Sequence, residues 1–496
     1  MLIRQFLEGY STTDQSRSLE REEQKRHSII FPNLLISERL FRNCAEKTKF
    51  EKLSFEYFLA ISERYNVSIK SMKINIFWFR RDLRLDDNTA LDNALKSGLP
   101  VLPVFIFDSN IIEELRTDDP RISFIYDTLS SINKAFRKTG SSIYIFKGDP
   151  LTVWKKLLAS FNINSVFVNK DYEPYSIERD KAVEVLLREN DVLLIRFKDQ
   201  VIFEEDEILK YDNKPYTVFT PYKNRWLKQY QGKPHSSPPG IQNCHKSSFD
   251  FPSLEELGFS ESSVKPIKYD LTAIRSYNKT RDFPFIDETS HLGPYLRFGT
   301  VSIRNIVDMA MRENEVFLSE LIWREFFMQI LFHFPYVVTQ NFKPLYDNIQ
   351  WRNSESEFQK WCDGVTGYPM VDAGMRQLNK TGYMHNRVRM ITAGFLCKHL
   401  LIDWRWGEAY FAQKLLDYEL SSNNGNWQWA AGTGCDAVPY FRIFNPEIQM
   451  QKFDHDLQYI KKWVDNIDRG EYPPPMVDHD FARKRAINAY KSGLKF

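Results

Sequence analysis

The chain has almost no net charge for its 496 residues: +2 at pH 7. It is therefore not a globally basic nucleic-acid binder, and any DNA contact has to come from a local patch. Cysteine is sparse. Cys44, Cys244, Cys362, Cys397 and Cys435 are scattered, odd in number and without a CxxC pair. That disfavours a disulfide framework and a structural zinc site, and it fits a reducing cytosol. No apolar run reaches the roughly 18 residues needed to span a bilayer. The N-terminus lacks the apolar core of a signal peptide. Residues 1–71 carry 12 Lys/Arg and 10 Asp/Glu, too acidic for a transit peptide. No internal repeat or low-complexity tract is present, and no metal site is expected.

Aromatic residues are abundant, with 11 Trp, 24 Tyr and 38 Phe. A length of 496 residues calls for two or three domains. Residues 1–71 show no clear pattern and read as an appended segment, with Met72 as an alternative start and a candidate helix at 50–64. From Ile74 the pattern sharpens. Apolar β-rich runs at 74–79, 101–107, 142–146, 165–169 and 192–197 alternate with amphipathic stretches at 88–97, 121–138, 151–161 and 176–189. This predicts a doubly wound parallel α/β sheet over 72–200. Its first strand leads into FWFRRDLRL rather than GxGxxG, which disfavours a dinucleotide-dependent dehydrogenase. Residues 201–268, rich in Pro, Ser and Gly around 233–240 and 247–253, read as a surface connector. Residues 269–496 read as an all-α domain, with 3.6-residue periodicity at 319–334, 368–378, 384–401 and 407–420.

Several pieces of the helical half could carry chemistry. The run NNGNWQWAAGTGCDAVPYFRIFNP (423–446) sets Trp427 and Trp429 among amides and glycines. Glycine and Asn weaken helices, so this run reads as an aromatic loop facing a flat ligand. Glu320, Trp323 and Phe327 share one helix face, where a Trp could stack on a base while Glu bonds its polar edge. Asn386 and Met390 are four residues apart, with Arg387 and Arg389 between them. Residues 289–302 (TSHLGPYLRFGTVS) supply hydroxyls and backbone N–H groups suited to phosphate. Trp351, Trp404 and Trp427 could relay electrons, although from the sequence alone three packing tryptophans are the favoured reading.

In this order, FWFRRDLRLDDNTAL, RDFP (281–284), ELIWREF (320–326), TGYPMVDAGMRQL (366–378), MHNRVRM (384–390) and the 423–446 run resemble the signature blocks of the photolyase/cryptochrome flavoproteins. The resemblance covers the chain from about Ile74 onward and is greatest to class I cyclobutane pyrimidine dimer photolyases. Asn386, Met390 and Asn423 carry that choice. It implies light-dependent splitting of pyrimidine dimers in DNA by electron transfer from reduced FAD. A cryptochrome-type blue-light receptor is the alternative, and a dark flavin oxidoreductase is a third.

The resemblance also implies roles. Tyr277, Thr289, Ser290, His291, Leu292, Gly293, Arg389, Asp417, Tyr418, Glu419 and Asn423 would hold FAD. Glu320, Asn386, Met390 and Asn423 would serve catalysis. Trp427, Trp404 and Trp351 would form the electron path. Arg281, Glu320, Trp323, Arg324, Phe327, Asn386, Arg387, Trp429, Arg442 and Gln449 would face DNA. His291 and Gly293 stand where some relatives carry Arg and Ser, and Asn426 where they carry Gly. In EPYSIERD (173–180), Tyr175 and Ser176 stand where folate-binding members have an Asn-Glu pair. A second, antenna chromophore is thus expected to be deazaflavin-type or folate, with folate in doubt. The expected partner is DNA containing pyrimidine dimers. No membrane or obligate protein partner is expected, and the chain is expected to be monomeric and cytoplasmic in a bacterial-type cell, on the nucleoid when DNA-bound.

Overall fold

The computed structural model describes residues 72–232, 240–465, 467 and 472–494. The expectations for residues 1–71, and for the Pro/Ser-rich run at 233–239, lie outside the described residues.

Five short strands, β1 (Lys73–Phe79), β2 (Val101–Asp108), β3 (Tyr144–Gly148), β4 (Asn162–Asn169) and β5 (Leu193–Phe197), form one parallel sheet in the order β3-β2-β1-β4-β5. The central strand β1 is buried from Ile74 to Phe79 on both sides, as a sheet covered on both faces requires. The covering helices are α1 (Thr89–Lys96), α2 (Pro120–Arg137), α3 (Pro150–Ser160) and α4 (Pro174–Arg188). Three of them begin with proline at the first turn, where its missing N–H costs nothing. Asp149 caps α3 by accepting from Thr152 N–H.

The 201–268 segment is less irregular than its composition suggests. It contains α5 (Phe219–Gln229), which buries Phe219, Tyr222 and Trp226. Glu325, on a long helix of the C-terminal half, anchors it. The buried Glu325 carboxylate accepts from the backbone N–H groups of Ile202 and Phe203, from Trp226 Nε1 and from Tyr222 OH. Burial pushes its pKa up to about 7, against the pull of those donors.

The remainder is helical: α6 (Ile303–Glu313), α7 (Glu315–His333), α8 (Pro369–Thr381), α9 (Asn386–Gly394), α10 (Trp404–Lys414), α11 (Leu420–Ala431) and α12 (His479–Gly493), among shorter turns. Among the described residues, no helix is long and apolar enough to cross a membrane.

Two sequence expectations need correction here. The periodic stretch 407–420 is not one helix: α10 ends at Lys414, and residues 415–419 break the helix before α11 begins. The NNGNWQW run is not a loop but the body of α11. Its weak helix formers are compensated by tertiary contacts. Asn424 Nδ2 and Gln428 Nε2 both donate to the Val337 carbonyl, at 2.9 and 3.0 Å. Gly425 lets the Phe327 ring of α7 lie against the helix backbone, where an added Cβ would sit 2.1 Å from a ring carbon.

Gly425→Ala tests which effect dominates. Alanine favours an isolated helix by about 1 kcal/mol, whereas overpacking costs about 1–3 kcal/mol. Thermal unfolding should show net destabilisation; a raised melting temperature would mean that Phe327 has room to move.

Candidate functional site

The helix break at 415–419 and the first turns of α11 form one wall of an open cavity, and α9 forms another. From the predicted cofactor set the cavity is lined by Arg389, Asp417, Tyr418, Glu419 and Asn423. From the predicted lesion set it is lined by Asn386, Met390 and Trp429, and Trp427 joins them. Residues from two separate sequence blocks thus meet on one surface. Phe411, Leu415, Ser422 and Asn426 also line it and were not foreseen. On a helix, residues two apart project about 200° from each other. Accordingly Trp427 is buried, at 2% exposure, against Phe411 and Trp361, while Trp429 stays partly exposed at the cavity.

A smaller cavity lies beside the first and shares Asp417 with it. It is lined by His291, Tyr383 and Gly382 among others. Gly293 belongs to this junction: a Cβ there would come within 2.6 Å of the Asp417 carboxylate. The Thr289 hydroxyl lies 3.0 Å from Tyr383 OH. His291 Nε2 faces Asp287 at 3.4 Å, while its Nδ1 is buried without a partner in the protein. Ser290 and Leu292 are buried. Tyr277 packs edge-on against Phe317 and lies under the Arg281 guanidinium. The two cavities share Asp417, one flanked by aromatic rings and the other by the unpartnered His291 ring nitrogen, and this is the region where the resemblance implies a flavin dinucleotide.

The polar groups of the main cavity are held firmly. Arg389 grips Asp417 with two hydrogen bonds, at 2.9 and 3.2 Å. Glu419 is 5% exposed, yet its carboxyl is held below the ordinary range. Burial opposes ionisation there, but Arg324 and Arg81 outweigh it, and both bond Glu419 Oε1 directly. Asn423 is turned the other way. Its Nδ2 donates 2.8 Å to Glu408 Oε1 and 3.1 Å to the Glu408 carbonyl. Burial pushes the Glu408 carboxyl up to about 7, and the bond from Asn423 only partly offsets this. Glu408 escaped the sequence analysis. A lone carboxylate in the aromatic stretch WRWGEAYF was its only signal.

Two residues expected to contact DNA are largely buried. Arg324 is committed to Glu419 and to the Gln200 carbonyl, so it faces inward. Phe327 is 5% exposed and packed against Trp323 and Phe326. Trp323 is partly exposed and does not line the main cavity. Phe219 stacks flat on it, with ring centroids 3.7 Å apart. Arg281 bonds Glu320 at 2.7 Å, and Arg387 bonds Asp282 at 2.5 Å. Arg442 is exposed and Gln449 half-buried. Trp404, Trp427 and the partly buried Trp351 share one apolar cluster, and Trp404 Nε1 donates to Asn341 Oδ1 at 2.8 Å.

The raised Glu408 pKa fixes a sign. The folded chain retains a proton that the unfolded chain loses, so stability contributed by this group falls as pH rises from about 4.5 to about 7. Glu408→Gln should flatten that interval relative to the parent by on the order of 2–3 kcal/mol, read from denaturant midpoints against pH. Identical pH profiles would show that Glu408 is ionised throughout. Gly293→Ala should push Asp417 off Arg389 and weaken FAD retention, measured by flavin fluorescence on dilution, with little effect on folding of the apoprotein.

Comparison with known proteins gives a consistent answer. Residues 75–240 match the DNA photolyase family model, and residues 317–471 match the FAD binding domain of DNA photolyase. The deoxyribodipyrimidine photo-lyase of Halobacterium salinarum is 35% identical over 84% of this chain and 99% of its own length. That of Escherichia coli is 35% identical over 86% of this chain and all of its own. A bacterial class III photolyase from Agrobacterium tumefaciens superposes with a TM-score of 0.77 at 33% identity, covering 86% of this chain and 98% of that one. An archaeal photolyase from Sulfolobus tokodaii, solved with two FAD molecules, gives 0.73 at 34% identity over 85% and 100%. The chain belongs to the DNA photolyase family.

Proposed function

We propose that this chain repairs cyclobutane pyrimidine dimers in DNA, using blue light and a reduced FAD held in the paired cavities. The observation that carries this reading is the shared wall of the main cavity. Asn423 and Trp427 sit on it beside Asn386, Met390 and Trp429, so a cofactor and a second flat ligand can meet across a short distance. Bound reduced FAD supplies, on excitation, the electron that opens the cyclobutane ring and accepts it back.

The chain's own residues do the positioning. Asp417, fixed by Arg389, presents a hydrogen-bond acceptor to a polar cofactor edge. Asn423, its amide nitrogen fixed by Glu408, would offer its amide oxygen to the cofactor. His291, Gly293 and Thr289 offer the neighbouring cavity to phosphate and ribose. A dimer swung out of the duplex would lose little pairing energy, because damage has already weakened it. Trp429 and Met390 would receive its faces, and Asn386 its polar edge. Trp323 offers one face only, since Phe219 covers the other. Arg281, Arg387, Arg442 and Gln449 would meet the strand around the opening. The buried Trp427 and Trp404, with Trp351 nearer solvent, would carry electrons inward to regenerate reduced flavin. A second chromophore would sit on the α/β part. There the Tyr175 hydroxyl is already bonded to Asp108 at 2.7 Å.

Purified protein with reduced FAD, under blue light, should restore thymine-dimer DNA to intact thymines, followed by loss of dimer-specific antibody binding. A chain that binds and photoreduces FAD but leaves dimers intact would be a photoreceptor. Trp323→Ala should weaken dimer binding by about 1–3 kcal/mol, the range for a lost base–aromatic stack, with normal FAD content. Loss of flavin together with binding would make Trp323 structural instead.

A further inference from the structure

Resting on the repair reading, we propose that Asp282 is a specificity-determining residue. It pins Arg387 at the cavity mouth, so that the guanidinium serves a strand drawn toward the cavity and not a straight duplex.

Two neighbouring residues of the RDFP turn reach different helices. Arg281 reaches α7 and bonds Glu320 at 2.7 Å. Asp282 reaches α9 and bonds Arg387 at 2.5 Å. The turn therefore clasps both helices. The two arginines and two carboxylates of this clasp cancel, which leaves Arg442 as an exposed cation among the groups assigned to DNA. With the whole chain at only +2, long-range attraction for undamaged duplex is weak. Non-specific affinity is almost entirely phosphate electrostatics, so a neutralised patch penalises it directly.

Cancellation alone would weaken damaged and undamaged DNA equally. The placement of Arg387 separates them. Its guanidinium lies 4.4 Å from the Phe453 ring centroid, its Nη1 is 3.8 Å from Met390 Sδ, and its Nη2 is on Asp282. Met390 is part of the cavity wall. The side chain is thus held from three directions beside the opening and is only 18% exposed. Its Nε is buried without a partner in the protein, so only the outer part of the guanidinium can meet a strand. A phosphate can use this guanidinium only if the backbone comes to the mouth, as it must when a nucleotide pair leaves the stack. Released from Asp282, a long flexible arginine could swing out to any duplex phosphate. Asp282 therefore works by excluding the wrong ligand as well as by placing a contact for the right one.

The test compares the parent, Asp282→Asn and Asp282→Glu. Dissociation constants are measured in the dark, over a salt series, for one duplex with and without a thymine dimer. FAD content and melting temperature serve as folding controls, since Asp282 lines neither cavity. Asp282→Asn should bind undamaged duplex several-fold more tightly, with a salt slope steeper by about 0.9 per added phosphate contact. Its affinity for the dimer should be unchanged or lower, so the preference falls by roughly an order of magnitude. Asp282→Glu, which keeps the charge, should retain most of the preference. If Asp282→Asn keeps the parental preference, or leaves undamaged-DNA affinity and slope unchanged, the inference is overturned while the repair reading stands. A parent chain with no preference for the dimer removes both.

Discussion

The carboxylate of Glu419 is the point on which the rest of the structure depends. It is the residue before α11, at the cavity edge, and almost fully buried. Arg81 reaches it from the loop after β1 and Arg324 from α7; Ser422 bonds its other oxygen. Arg81 also bonds Glu173, at the start of α4, and Arg297 forms an ion pair with Glu173 at 3.3 Å. One polar knot thus joins the sheet, the long helix and the wall of the site. Buried ion pairs do not gain much net stability, because desolvation offsets most of the attraction. Their effect is geometric. Removing one partner would strand a buried charge, which costs several kcal/mol, so alternative dockings of these parts are strongly disfavoured.

The same principle, a charge that must be answered by a partner, organises the site itself. Asp417 is answered by Arg389, Arg387 by Asp282 and Arg281 by Glu320. Glu408 is the exception. Its neighbour Asn423 supplies a dipole and no charge, so burial keeps the proton on. Glu419, at the cavity edge, is thus held in its charged form, while Glu408, which bonds Asn423 and lies outside the cavity lining, is pushed toward its neutral form.

Much of the fold was legible because it rests on short-range pattern. The parallel strands are continuous apolar runs, and the helices between them carry proline and aspartate starts. Eight of the residues assigned to a cofactor or a lesion line one cavity, and the others lie outside it. What was not legible depends on distant partners. Arg324 reads as a surface charge until Glu419 and Gln200 appear beside it. The NNGNWQW run reads as a loop because helix propensity cannot register the Val337 carbonyl or the Phe327 ring. The break at 415–419 is hidden because apolar spacing continues through it, with Leu415 and Leu416 buried on either side of the turn. Asp282 stood in plain view within RDFP, but its role lies in an ion pair with a residue over a hundred positions away.

The position of the cavity wall along the chain has an entropic consequence. Every residue lining the main cavity falls between Asn386 and Ala430, so its wall closes through short loops. The lock on that wall does not: Arg81 and Glu419 are 338 residues apart. Loop-closure entropy grows with length, and non-local contacts form late. The wall's own shape is therefore cheaper in loop-closure entropy than its anchoring to the segment after β1.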